Sequence, residues 1–284
     1  MTLYPDFYPA FQCRAGTCRH SCCKGWEIDV DDESCRYYDT VPGPLGERLA
    51  AAIVRDAEGA HFALTADERC PFLQRDGLCE LICQLGEDAL CDICALHPRF
   101  YLDYGEHTLC GLGLSCEVAC ALLLAERGPL RFLAEESGDA CTLPQLLGLP
   151  AQALHFCPQP EAPRYQAVLD AFAATEPIDD AWTAQLQALR QQLPAVIAAA
   201  QDYAQRYDAG LFDRILAYIL YRQLDSLEER GLRALLDYAA LCAEFVFLTA
   251  AWTGDLAEAL RRWSEQIEYS TENVAILLDA ITAS

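Results

Sequence analysis

The chain has 284 residues, 53% of them hydrophobic, so it can bury a sizeable core and needs no disulfide framework to fold. Its formal net charge of −23 argues against a phosphate-tracking nucleic-acid surface, which needs clustered Lys and Arg, and suits a cationic partner better. Sixteen cysteines stand in a chain that opens MTLYPDFYPAF, without a basic n-region or an apolar h-region; they are expected to be reduced in the cytoplasm and to ligate metal.

The first dense stretch is FQCRAGTCRHSCCKGW, Phe11 to Trp26, which sets Cys13, Cys18, Cys22 and Cys23 in a C-x4-C-x3-CC series. Side chains of adjacent residues diverge on an extended backbone, so at least one of Cys22 and Cys23 is expected to serve a second centre or to pack internally. Further along come CPFL at Cys70, GLC at Cys79, C-x2-C-x3-PR from Cys91 to Arg99, and LSC at Cys116. Thirteen cysteines lie at or before Cys120, among Gly- and Pro-punctuated segments such as VPGPLGE from Val41 and GLGLS from Gly111. Residues 1–122 therefore read as short helices and loops wrapped around a metal or cluster.

Residues 123–284 read as an α-helical bundle, which makes the expected fold mainly α. Glu117 to Glu136 is predicted as one helix, or two broken near Gly128-Pro129. Pro144 to Pro163 is a Pro-bearing connector, followed by a helix from Arg164 to Thr175. Asp179 or Asp180 is set to cap a long helix toward Tyr207 that Pro194 kinks or divides. Leu211 to Leu224 and Tyr238 to Trp252 are apolar around much of their circumference and should be central helices. The second is short for a membrane span and carries Glu244, so no membrane is expected. Asp255 to Gln266 and Thr271 to Ile281 close the bundle, with Ser270 or Thr271 as a cap.

The spacings decide less than the number of thiols. A four-cysteine zinc site commonly uses two C-x2-C knuckles, and only Cys91 and Cys94 make one here. Four cysteines around an iron–sulfur cluster tolerate more varied spacing. The C-x3-C-x2-C series of radical enzymes fails at Gly25 and again at Gly86, and Gly111-Leu-Gly113 is a bare GxG without a nucleotide-binding context.

The series FxC-x4-C-x3-CC-x-GW, followed by D-x-D-x5-YY from Asp29 to Tyr38, resembles the flagellin lysine-N-methylase family, within a wider group of cysteine-cluster zinc- or iron-chelating proteins. The resemblance continues through CPFLQRDGLCELICQLGEDALCDICALHPRF, LSCEVA, AYILYRQL and QIEYSTEN. It implies a cytoplasmic protein-lysine N-methyltransferase acting on flagellin or another lysine-bearing protein, with S-adenosylmethionine as methyl donor and a [4Fe-4S] cluster. The family's recurrent cysteines fall on Cys13, Cys18, Cys22, Cys23, Cys70, Cys79, Cys94 and Cys116. Candidates for the reaction in these segments are Trp26, Asp29, Tyr221, Glu268 and Tyr269, with Arg99 a candidate for a carboxylate. The chain is shorter than typical members and carries extra thiols such as Cys83, Cys91, Cys110 and Cys120. The alternative from a different class is a non-catalytic zinc- or iron-binding interaction or sensor protein.

Overall fold

A computed structural model describes residues 1–57 and 59–282. The chain divides into two compact units, Gln12–Pro98 and a larger one made of Met1–Phe11 with the chain from Arg99 onward. The division expected near residue 122 is therefore drawn differently. The first strand and the stretch after Pro98 belong with the helical half, because they pair with each other in one sheet.

The chain opens with β1 (Thr2–Pro5). It then builds the smaller unit from β2 (Ile28–Asp29), α1 (Asp32–Tyr38), α2 (Gly43–Ala52), β3 (Ile53–Arg55), β4 (Ala60–Phe62), α3 (Glu80–Leu85) and α4 (Asp92–Leu96). The three strands form an antiparallel sheet in the order β2-β4-β3, with Ile28 and Ile53 both opposite Phe62. Among the described residues its core is twelve apolar side chains, and three of them are Cys35, Cys70 and Cys91. In so small a core, a cross-link between cysteines would add to the stability of the unit.

In the larger unit β5 (Arg99–Tyr104), β6 (His107–Leu112), β7 (Arg131–Ala134) and β8 (Ala140–Thr142) join β1 in the order β5-β6-β1-β7-β8. Only the β1–β6 pairing is parallel. Between β6 and β7 lies α5 (Glu117–Ala125); the helix expected to reach Glu136 stops there, and Gly128-Pro129 leads into a strand. The expectation of helices and loops alone up to residue 122 thus missed the sheet, although the fold as a whole is mainly α.

The helices that follow are α6 (Leu143–Leu146), α7 (Ala162–Ala173), α8 (Asp180–Gln191), α9 (Leu193–Ala204), α10 (Ala209–Tyr221), α11 (Leu227–Arg230), α12 (Leu232–Thr253), α13 (Leu256–Trp263) and α14 (Thr271–Thr282). Asp179 caps α8 by accepting the Trp182 N–H at 2.7 Å, and Pro194, at the start of α9, divides the expected long helix. The central α12 is long and apolar enough to cross a membrane by composition, and 78% of its apolar window is buried within the protein. Its Glu244 accepts the Gln159 N–H at 3.0 Å.

Two tyrosines of α10 complete the sheet. Past Leu3 and Leu109 the β1–β6 pairing ends. The Tyr221 hydroxyl donates to the Leu3 carbonyl at 2.9 Å and to the Cys110 carbonyl at 3.0 Å. One helical turn earlier, the Tyr218 hydroxyl accepts from the Leu112 N–H at 2.7 Å and donates to the Leu112 carbonyl at 2.8 Å. Backbone groups that no strand reaches are satisfied by side chains instead. Tyr221, a catalytic candidate in the sequence, is thus a buried structural pin, stacked on Phe132 at 4.2 Å between ring centroids.

Candidate functional site

Seven of the eight expected metal ligands lie in Gln12–Pro98, and Cys116, the N-cap residue of α5, lies in the other unit. In the smaller unit, Cys23 is fixed opposite Cys70 by the Cys70 N–H, which donates to the Cys23 carbonyl at 2.9 Å. Cys23, Cys79 and Cys94 pack against the core that contains Cys70 and Cys91. Cys70 is within electrostatic reach of Cys23, Cys79 and Cys91, and Cys94 within reach of Cys91, Cys23 and Cys70. Cys91, which the resemblance left outside its ligand set, is therefore inside the group. Its spacing to Cys94 was the signal.

Local turns present amides to these sulfurs. The Ala15 N–H lies 3.3 Å from the Cys13 sulfur, the Phe72 N–H bonds to Cys70, those of Leu81 and Ile82 to Cys79, and that of Cys94 to Cys91. Such N–H···S bonds stabilise a thiolate and tune a metal bound to it. The Cys22 thiol bonds to Cys23 and, against the effect of burial and helped by Ser21, brings Cys23 down to about 7. The Cys94 thiol lowers Cys91 in the same way and is itself raised by that bond. Burial pushes Cys70 up to about 12.

Asp31, the second aspartate of the D-x-D stretch, seats the knuckle. Its carboxylate accepts the Ser34 N–H at 2.8 Å, capping α1, and the Asp92 N–H at 3.0 Å in the first turn of α4. Burial raises this carboxyl, and the hydrogen bonds from Asp92 and Ser34 outweigh it and hold it near 2. Asp29, expected among the site residues, is exposed. The Trp26 indole N–H donates to the Cys22 carbonyl at 2.6 Å, and its ring lies 5.6 Å from that of His97, whose burial lowers it to about 4. Among the described residues no three His, Cys, Asp or Glu side chains converge as a coordination shell. The donor chemistry fits a thiolate-bound metal, while the sulfurs stand as neighbours rather than as an assembled cage.

The larger unit gathers the other segments singled out in the sequence. The π-helical turn Ser264–Glu268 brings Glu268 under the start of α5. One carboxylate oxygen pairs with Arg222 at 3.3 Å; the other accepts the Leu114 N–H at 3.1 Å and the Ser264 hydroxyl. Both oxygens are thus engaged, and Glu268 ties Arg222 to the turn before α5. The Arg222 guanidinium also covers the Phe100 ring at 3.9 Å. Tyr269 is hydrogen-bonded to Ser115, and its hydroxyl would lie 1.9 Å from a Cβ at Gly113. Gly111 likewise leaves space for Phe100 and Tyr218, so the GxG is a pair of docking points for aromatic rings. Arg222, Gln223, Asp225, Arg230 and Glu268 line a cavity of about 210 Å³. Arg99 starts β5 and covers the Phe11 ring at 5.1 Å.

The chain is 29% identical over 126 residues to proteins named Lysine-N-methylase from Salmonella typhimurium and Salmonella choleraesuis, a stretch covering 42% of this chain and 31% of theirs. It is 28% identical over 126 residues to the Flagellar biosynthetic protein FliU of Salmonella muenchen, covering 42% of this chain and 75% of that protein. The chain spans about a third of the length of the curated lysine-N-methylases it matches. No family model and no solved structure matches it.

Proposed function

We propose that this chain acts in the cytoplasm in the methylation of lysine ε-amines of flagellin or another lysine-bearing protein, with S-adenosylmethionine as methyl donor. The similarity to proteins named for lysine methylation and for flagellar biosynthesis carries the reading. The thiol group supports a [4Fe-4S] cluster or, alternatively, zinc. Cys23, Cys70, Cys91 and Cys94 would hold it, with Cys22 and Cys79 beside them. Bound there, such a centre supplies a Lewis-acidic site for the amino and carboxylate groups of a ligand.

The chain's own residues have two tasks. A methyl group leaves a sulfonium only for a neutral amine aligned behind the carbon, so the lysine must be desolvated and fixed in place. A net charge of −23 draws lysine-bearing segments toward the protein. Arg222, held by Glu268 and Phe100, offers a fixed cation at the cavity wall.

The test is transfer of labelled methyl groups from S-adenosylmethionine to lysine-bearing flagellin. The iron-reconstituted protein is expected to label lysines and the metal-free protein is not. Equal activity without metal overturns the role of the cluster, and no transfer under any loading overturns the enzymatic reading. The small core of Gln12–Pro98, in which three of twelve buried apolar residues are cysteines, favours one second reading, a zinc- or iron-stapled interaction module. Colourless protein with stoichiometric zinc and no transferase activity is its signature.

A further inference from the structure

The five-stranded sheet of the larger unit buries one face in the helical core through Leu3, Phe100, Leu109, Phe132 and Ala134. The strand alternation puts a different set on the other face. Thr2 pairs with Thr108, and Tyr101 stands directly opposite Cys110, so these four share a face with Tyr4, two residues along from Thr2. Because Leu3 pairs with Ala134, Glu135 follows at the same end of that face, and its N–H donates to the Thr2 carbonyl at 2.9 Å. The turn Tyr8–Ala10 folds Tyr8 back over these strands.

The result is a cavity of about 520 Å³ lined by Tyr4, Tyr8, Tyr101, Thr108, Cys110 and Glu135, among others. This lies within the range that small-molecule sites occupy, roughly 300–1,000 Å³. The Tyr4 and Tyr8 rings stand 5.7 Å apart and tilted by 36°. Tyr8 is hydrogen-bonded to Tyr101 and to the Cys110 thiol, which fixes the third ring relative to the other two. No basic residue is in the lining; Arg99, on the same face, lies over the Phe11 ring and within electrostatic reach of Tyr8. Among the described residues no basic side chain forms an ion pair with Glu135.

We propose that Tyr4, Tyr8, Tyr101 and Glu135 form a binding site for an alkylammonium group, the ε-amine of a lysine side chain or its methylated forms. Three electron-rich faces and one carboxylate around an open cavity select a positive, weakly hydrated head over a neutral one of equal size. Each methyl group on nitrogen lowers the cost of dehydrating the cation, so the trimethylated form binds more tightly than the bare amine. The inference rests on the lysine-methylation reading for the choice of lysine among alkylammonium ligands. It adds a place where the substrate or product side chain is held.

Calorimetric titration of the full chain tests it with four probes. These are Nα-acetyl-trimethyllysine methylamide, its unmethylated counterpart, the neutral isostere with carbon in place of the nitrogen, and tetramethylammonium. Both lysine probes are expected to saturate, with the neutral isostere about tenfold weaker, and Tyr101→Ala is expected to weaken the trimethylated probe by about tenfold. Tyr101 is 51% exposed, so this variant should melt like the parent; Glu135→Gln, also exposed, is expected to weaken both charged probes. Equal binding of the isostere, indifference to both variants, or binding of tetramethylammonium alone overturns the lysine site. Methyl transfer is measured separately. Ammonium binding through Tyr101 without any transfer refutes the enzymatic reading and leaves this site standing, whereas transfer by a chain that fails the titrations does the reverse.

Discussion

Removing one hydroxyl from α10 should weaken the larger unit by an amount set by what that hydroxyl leaves behind. In Tyr218→Phe the ring still fills its place, yet the Leu112 N–H and carbonyl, bonded at 2.7 and 2.8 Å, both lose their partner in a site with no solvent access. Each orphaned buried group costs about 1–3 kcal/mol, so the variant should lose roughly 2–6 kcal/mol. In Tyr221→Phe a single donor shared by the carbonyls of Leu3 and Cys110 disappears, and no N–H is orphaned. That should cost about 1–2 kcal/mol. Thermal unfolding should separate the two, since about 2–4 °C accompanies each kcal/mol in a unit of this size. If Tyr218→Phe melts within the error of the parent, or above Tyr221→Phe, the hydroxyls do not substitute for the missing strand. Any methyl transfer by Tyr221→Phe should fall only with the folded fraction, because this hydroxyl contacts backbone alone.

Gly113→Ala should displace the Tyr269 ring, whose hydroxyl and two ring carbons would lie 1.9–2.9 Å from the new Cβ; the overpacking should cost about 1–3 kcal/mol, recovered in the double variant with Tyr269→Ala. Glu244→Gln should stabilise the protein at neutral pH. Burial raises the Glu244 carboxyl, so its contribution is most favourable below the ordinary value and is lost as pH rises through the raised one; a neutral amide keeps an acceptor for the Gln159 N–H without that loss. A flat difference between parent and variant across pH 4 to 8 in denaturant titrations would contradict this. For the thiols, Cys91→Ser and Cys94→Ser should each abolish bound iron or zinc measured by metal analysis, whereas Cys35→Ser should retain it, because Cys35 is turned to the Val30 carbonyl at 3.7 Å.

The helical half was legible because its signals are local. Asp179 and Asp255 cap where short polar residues precede apolar periods, and Pro194 breaks the pattern where its missing N–H demands it. The sheet was hidden for the opposite reason. The pairing partners of β1 lie more than a hundred residues away, and the alternation from Arg99 to Leu112 was masked by motif residues such as Arg99, Cys110 and Gly111. The candidate thiols were legible as a set, but membership was not: spacing cannot tell that Asp31 pins the Cys91 turn, nor that Cys116 belongs to the other unit. Glu268 and Tyr269 stood out by their segment, while their work, holding Leu114, Ser115 and Gly113, depends on contacts about 150 residues apart.

The chain leaves the larger unit at Phe11 and re-enters it at Arg99, and these two side chains touch. Gln12–Pro98 is thus an insertion whose ends must be brought together before the five-stranded sheet can form. If the insertion is unfolded, closing it as a flexible loop costs the host about 3 kcal/mol more than a tight turn would. If it is folded, part of that entropy has already been spent. Whatever stabilises the cysteine-bearing segment is then felt in the melting of the helical half, and replacing residues 12–98 by a short turn should leave the host able to fold without it.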